Sequence, residues 1–125
     1  MKVILIDAWK TLIKNYKLDQ NIYDTLEYFP NQKIILTNAN DEEKIKFGII
    51  NMPYEVFSLN HNPEKSDPKY FSIMLNKYKL KPENVIYIEH NLDAVKSALS
   101  LGINTHHYNP DYHTDIIIDF INKNN

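Results

Sequence analysis

Apolar residues along this chain fall into short unbroken runs, separated by stretches in which they recur every three or four positions. Val3-Ile4-Leu5-Ile6, Lys33-Ile34-Ile35-Leu36 and Val85-Ile86-Tyr87-Ile88 are short and nearly uniform in apolarity, the pattern of strands covered on both faces. Val56-Phe57-Ser58-Leu59 predicts a third strand, and Ile103 to Tyr108 a fifth, edge-like one. Leu18, Ile22, Leu26 and Phe29 keep helical spacing and predict a first helix ending at Pro30. Asp41 to Phe47 predicts a short helix that Gly48 terminates. Asp67-Pro68 supplies an N-cap and a first-turn proline for a helix with Phe71, Leu75 and Tyr78 on one face. Leu92, Val95, Ala98 and Leu99 mark the inner stripe of the next helix, closed by Gly102, and Ile117, Phe120 and Ile121 belong to a last one. Strands alternating with helices predict an α/β fold, a doubly wound, Rossmann-like, five-stranded parallel sheet with helices on both faces, in a single domain over residues 1–125.

In such sheets ligands bind beyond the carboxyl ends of the strands, so the residues there carry the candidate chemistry. The first strand ends in Asp7-Ala8-Trp9-Lys10-Thr11-Leu12, the second in Thr37-Asn38, and the fourth in Glu89-His90-Asn91. A carboxylate fixed at a strand end is well placed as a nucleophile, which makes Asp7 the candidate, although turns also favour aspartate. Thr37 and Asn38 offer hydroxyl and backbone donors to a phosphoryl oxygen, and equally a turn start. Lys65, in Glu64-Lys65-Ser66-Asp67-Pro68, stands just before a helix N-terminus that favours anions.

Charge and composition narrow the partners. A net charge of −2 produces no broad field toward nucleic acid or anionic lipid, which argues against both. The chain has no cysteine, which excludes disulfides and thiolate metal sites and fits a reducing compartment. Its first apolar run is too short for a signal peptide or a membrane span, so a cytoplasmic location is expected. His106, His107 and His113 follow the fifth strand and, with His90, raise the alternative of a histidine-rich zinc or nickel site. Against it, adjacent histidines on a strand point to opposite faces. Tyr16, Tyr23, Tyr28 and Phe29 form an aromatic stripe suited to packing, with a partner interface as its other use.

Taken together in order, these segments resemble the four motifs of the haloacid dehalogenase-like (HAD) superfamily. They are Asp7 with Thr11-Leu12 four residues on, Thr37-Asn38, Lys65-Ser-Asp-Pro-Lys-Tyr-Phe, and Lys81-Pro-Glu-Asn-Val-Ile-Tyr-Ile before an acidic turn, spanning residues 3 to 108. The resemblance implies that Asp7 is the nucleophile taking a phosphoryl group, that Thr37 binds its oxygens, and that Lys65 neutralises charge on both. The family's phosphatases place a proton-carrying aspartate two residues after the nucleophile, where this chain has Trp9. An indole carries no usable proton at neutral pH, so acid–base help worth ~10²–10⁴-fold is missing there. An ungapped comparison puts Glu89 and His90 on the family's metal-binding pair and Ala94 on its later ligand, which weakens a Mg²⁺ site of Asp7, Glu89 and His90. A shift by one residue puts Glu89 and Asp93 there instead.

Asp7-Ala8-Trp9 also resembles the start of the true dehalogenases, but 29 residues between Asp7 and Thr37 leave no room for their cap. The expectation is therefore a capless HAD-like hydrolase domain with weak or lost phosphatase activity, acting on a phosphorylated small molecule or macromolecule. Its rival is a non-catalytic module on the same scaffold that binds phosphate or a protein partner.

Overall fold

The computed structural model describes residues Met1–Asn125. Three strands, β1 (Val3–Asp7), β4 (Lys33–Thr37) and β6 (Val85–Glu89), are buried at every position, as uniform apolar runs require. They form the centre of a parallel sheet of order β5-β4-β1-β6-β7, whose edges are β5 (Glu55–Ser58) and the polar β7 (Asn104–His107). Side chains alternate across this sheet and divide the core in two. Ile4, Ile6, Ile35, Ile86 and Ile88 pack with Ile22 and Leu26 of α1 (Gln20–Glu27) and with Ile117 and Ile121 of α5 (Asp115–Asn124). Val3, Leu5, Ile34, Leu36, Val85 and Tyr87 pack with Tyr70, Phe71 and Met74 of α3 (Pro68–Tyr78) and Ala98 of α4 (Leu92–Ser100).

Helix starts follow local chemistry. Asp19, Asp67 and Asn91 accept backbone N–H bonds at the starts of α1, α3 and α4, and Asn40 with Glu43 forms a reciprocal capping box on α2 (Asp41–Phe47). Gly48 ends α2 at φ 80°, and a Cβ there would lie 2.0 Å from the Tyr16 carbonyl oxygen. That close approach seats the end of α2 on a small hairpin.

The hairpin, β2 (Ile13–Lys14) paired with β3 (Lys17–Leu18), is absent from the sequence expectation. Its two-residue loop places Asn15 and Tyr16 at φ 54° and 64°, the left-handed pair that a hairpin turn needs. Asn15 is a regular occupant of such a turn, but tyrosine in place of glycine hides the signal. Leu18 consequently lies in β3, and α1 begins only at Gln20. The inner stripe of α4 is also corrected. Val95 and Ala98 face the core as expected, but Leu92 and Leu99 are 48% and 50% exposed, and Ala94 is buried in their place. No cap domain is inserted between β1 and α1 or between β5 and α3.

Candidate functional site

Strand alternation decides which way the site's carboxylates point. Asp7 continues the face of Val3 and Leu5, and Glu89 continues the face of Val85 and Tyr87, so both aim to the side covered by α3. β1 and β6 run in register with Ile6 opposite Ile88, which makes Asp7 and Glu89 the next neighbours along adjacent strands. Lys65, in the loop entering α3, reaches them from that side. Its Nζ donates to Asp7 Oδ1 at 2.6 Å and Glu89 Oε1 at 2.7 Å. Asn38 holds the lysine's backbone, its Oδ1 accepting from Lys65 N at 2.7 Å.

The other oxygen of Asp7 is also engaged. Oδ2 accepts from the Thr11 hydroxyl at 2.8 Å and from His90 Nδ1 at 2.5 Å, and Nδ1 lies 3.3 Å from Glu89 Oε2. With its proton on Nδ1 the imidazole serves both carboxylates as a donor. Glu89 further accepts from the Tyr87 hydroxyl and from Asn91 N. The result is a compact group of two carboxylates and two cations around Asp7.

The titration of each member follows from its surroundings. Burial pushes Asp7 above its usual carboxylate range despite the attraction of Lys65. Glu89 is buried too, but Lys65 and His90 outweigh that and hold it well below the usual range. Burial opposes the Lys65 charge, and Asp7 and Glu89 more than restore it, leaving its pKa raised. For His90 the burial cost is overcome by hydrogen bonds to Asp7 and Glu89, which raise it from the usual 6.5 to about 9.

A folded-state pKa above the unfolded one means that the His90 contribution to stability is complete below pH about 6.5. It is lost as pH rises through about 9. His90→Gln is therefore expected to flatten the stability profile over that window in urea denaturation at successive pH values. An unchanged slope would show that His90 is not the group responsible.

The group forms the floor of a cleft of about 430 Å³. Thr37 lines it from the end of β4, its Oγ1 accepting from Ala39 N at 3.2 Å. Trp9 forms a side wall, its ring 4.6 Å from that of Phe47 at the end of α2 and 5.4 Å from that of Tyr16 in the hairpin turn. His61 stands at the rim, with Nδ1 2.8 Å from Glu64 Oε2 and Nε2 2.5 Å from Glu43 Oε1. Its pKa is raised by hydrogen bonds to Glu64 and Glu43.

All the residues singled out at the strand ends, Asp7, Thr37, Asn38, Lys65, Glu89 and His90, line this one cleft. Asp93 is exposed at its rim and stands outside the group around Asp7. The wider histidine cluster does not form. His107 donates through Nε2 to the His90 carbonyl at 2.8 Å, His106 packs against Phe120, and His113 pairs with Asp115.

Thr11, Tyr87, Phe47 and His61 carry no assigned role in the sequence. Two of them have a usable signal: Thr11 belongs to the first motif, four residues after Asp7, and Tyr87 lies two residues before Glu89 on the same strand face.

Asp7, Glu89 and His90 offer ligand atoms within 4.8 Å of one another, a spacing that suits a cation. The donor set fits Mg²⁺ poorly. That ion wants an octahedron of oxygens, whereas one of the three donors here is an imidazole nitrogen.

No protein-family model matches the chain, and no curated protein matches it in sequence. Solved structures do. A HAD family enzyme from Bacteroides thetaiotaomicron, in complex with magnesium and inorganic phosphate, superposes with a TM-score of 0.75 at 13% identity, covering 94% of this chain and 98% of that one. A hydrolase from Streptococcus pneumoniae gives 0.71 at 13% identity, with 94% and 97% covered. A haloacid dehalogenase-like protein from Agrobacterium tumefaciens gives 0.59 at 18% identity, with 83% of this chain and 53% of that one. The chain therefore has the fold of HAD family enzymes. No helix in it is long and apolar enough to cross a membrane.

Proposed function

We propose that this HAD-like domain binds phosphate esters in the Asp7 cleft without a divalent cation, and that its phosphoryl-transfer chemistry is weak. The observation that carries this reading is the pairing of Asp7 with Lys65 on one oxygen and His90 on the other. A phosphate dianion approaching a bare buried carboxylate would be strongly repelled. Lys65 and His90 balance the two carboxylates Asp7 and Glu89 and so offset that repulsion, His90 supplying the charge that a metal would otherwise bring. Thr37 adds a hydroxyl at the cleft wall.

Turnover would form a bond from an Asp7 oxygen to phosphorus while the ester oxygen departs with the bonding pair. That oxygen needs a proton, and Trp9 has none to give. The oxygen of Asp7 is also tied into hydrogen bonds that must loosen before it attacks. Both effects slow the step, whereas binding needs neither.

Calorimetric titration with inorganic phosphate, with and without Mg²⁺, tests this reading. The expected result is binding that Mg²⁺ does not strengthen, made about tenfold tighter in Asp7→Asn, where one negative charge is removed. Turnover of p-nitrophenyl phosphate should be slow and insensitive to Mg²⁺. Absence of phosphate binding at millimolar concentration would turn the proposal toward a protein-binding role for the scaffold, and strong Mg²⁺-stimulated turnover would overturn the metal-free site.

A further inference from the structure

We infer that the ligand of this cleft is a phosphate ester carrying a flat aromatic ring, such as an aryl phosphate or a nucleoside monophosphate, with Trp9 and Phe47 as the wall that receives the ring. This deepens the proposed phosphate site and rests on it. The cleft, at about 430 Å³, is in the range of small-molecule pockets and larger than a phosphate ion requires. Its floor is charged and its side wall aromatic, so the two parts suit two ends of one ligand.

Trp9 occurs where the related phosphatases would hold a proton carrier, two residues from Asp7, and it is only partly buried. Its ring is held in place from α2 by Phe47 at 4.6 Å and from the hairpin turn by Tyr16 at 5.4 Å, in tilted arrangements. Trp9 and Phe47 are partly exposed and line the same cavity as Asp7 and Lys65. A wall fixed from two sides loses little freedom when a third ring packs against it. For an aryl phosphate the chemistry of departure agrees, since a phenolate leaves with little need of the proton that Trp9 cannot supply; a nucleoside monophosphate, whose leaving oxygen is an alkoxide, would be bound without being turned over.

Trp9 is the chain's one tryptophan, so its emission reports directly on the wall. Fluorescence titrations with inorganic phosphate, glycerol phosphate, phenyl phosphate and a nucleoside 5′-monophosphate separate the contributions. The expected result is that the ring-bearing esters perturb the emission and bind about tenfold to a hundredfold more tightly than glycerol phosphate. The tighter of the two ring-bearing esters identifies the ligand class.

Phe47→Leu, read by fluorescence, and Trp9→Leu, read by calorimetry, should bring the ring-bearing esters down toward glycerol phosphate. Circular dichroism on both variants establishes that they are folded. Equal affinity for phenyl and glycerol phosphates, with inorganic phosphate still bound, overturns the aromatic wall and leaves the phosphate site standing. Failure of all four ligands to bind overturns both.

Discussion

Lys65→Met should cost about 3–5 kcal/mol of folding stability, the range for removing one partner from a buried ionic group. The lysine bridges Asp7 and Glu89, and all three are almost inaccessible to water. Without it, two neighbouring carboxylates remain buried with only the half-buried His90 to balance them. A domain of this size has a total stability of roughly 5–15 kcal/mol, so the variant would approach its unfolding threshold at physiological temperature. The sign with pH is distinctive. In the native protein Glu89 is held below its usual range, so its contribution is present at neutral pH and lost as the solution becomes strongly acidic. In the variant the same carboxylate resists ionisation, and the defect should shrink between pH 7 and pH 5. Adding Glu89→Gln to Lys65→Met should restore part of the loss, so that the double variant is less damaged than the two single effects summed. Urea denaturation of the four proteins measures all of this. A Lys65→Met protein within about 1 kcal/mol of the parent would mean that water or rearrangement serves the carboxylates in the lysine's place.

The second large effect is a gain. Trp9→Asp together with His90→Asp should convert the domain into a Mg²⁺-dependent aryl phosphatase. His90→Asp replaces a cation by a third carboxylate beside Asp7 and Glu89, so the site becomes anionic, with oxygen donors that suit Mg²⁺. The single variant should accordingly be less stable in chelator and regain stability with the ion. Ligand linkage gives about 2.7 kcal/mol when the ion is present at a hundred times its dissociation constant. Trp9→Asp supplies a proton carrier near the leaving group, an effect typically worth ~10²–10⁴-fold. The two changes serve one reaction, so the double variant should exceed the product of the single gains, and Asp7→Asn should abolish the activity. Trp9→Ala controls for simple widening of the cleft. A folded double variant that neither gains stability from Mg²⁺ nor hydrolyses p-nitrophenyl phosphate would show that the cleft differs from a phosphatase by more than these two residues.

Much of the architecture was legible because it depends on local rules. Uniform apolar runs announce strands covered on both faces, and Asp67-Pro68 announces a helix start, without knowledge of the rest of the chain. The gathering of Asp7, Lys65 and Glu89 was legible one level higher, since a parallel sheet brings successive strand ends to one edge. What escaped needed contacts between distant segments. Trp9 gains its meaning from Phe47, 38 residues on and brought near by α2. His61 meets Glu43 only because its loop returns to the mouth of the cleft, where Glu64, three residues on, joins the pair. The hairpin was hidden by Tyr16, a poor residue for a left-handed turn, which is held by a backbone contact with Gly48. His106 and His107, adjacent in sequence, diverge because a strand turns successive side chains to opposite faces, and one finds Phe120 while the other finds the His90 carbonyl.

The completely buried central strands also set how motion is distributed around the cleft. β1, β4 and β6 are buried at every position, so their amide hydrogens should exchange through the largest openings, and those of the short edge strands and the loops through smaller ones. Asp7, Thr37 and Glu89 are the terminal residues of those three slow strands. Trp9 and His61 stand on connecting segments, and Phe47 closes a helix with no buried residue of its own. Deuterium uptake should therefore be slowest beneath the charge-paired floor and faster in the segments that carry the aromatic wall and the rim. A ligand would meet a seat for its charged end built on the slowest strands, and for its ring a wall whose order comes from the mutual bracing of Trp9, Phe47 and Tyr16 rather than from the sheet, so discrimination should be strictest about the phosphate.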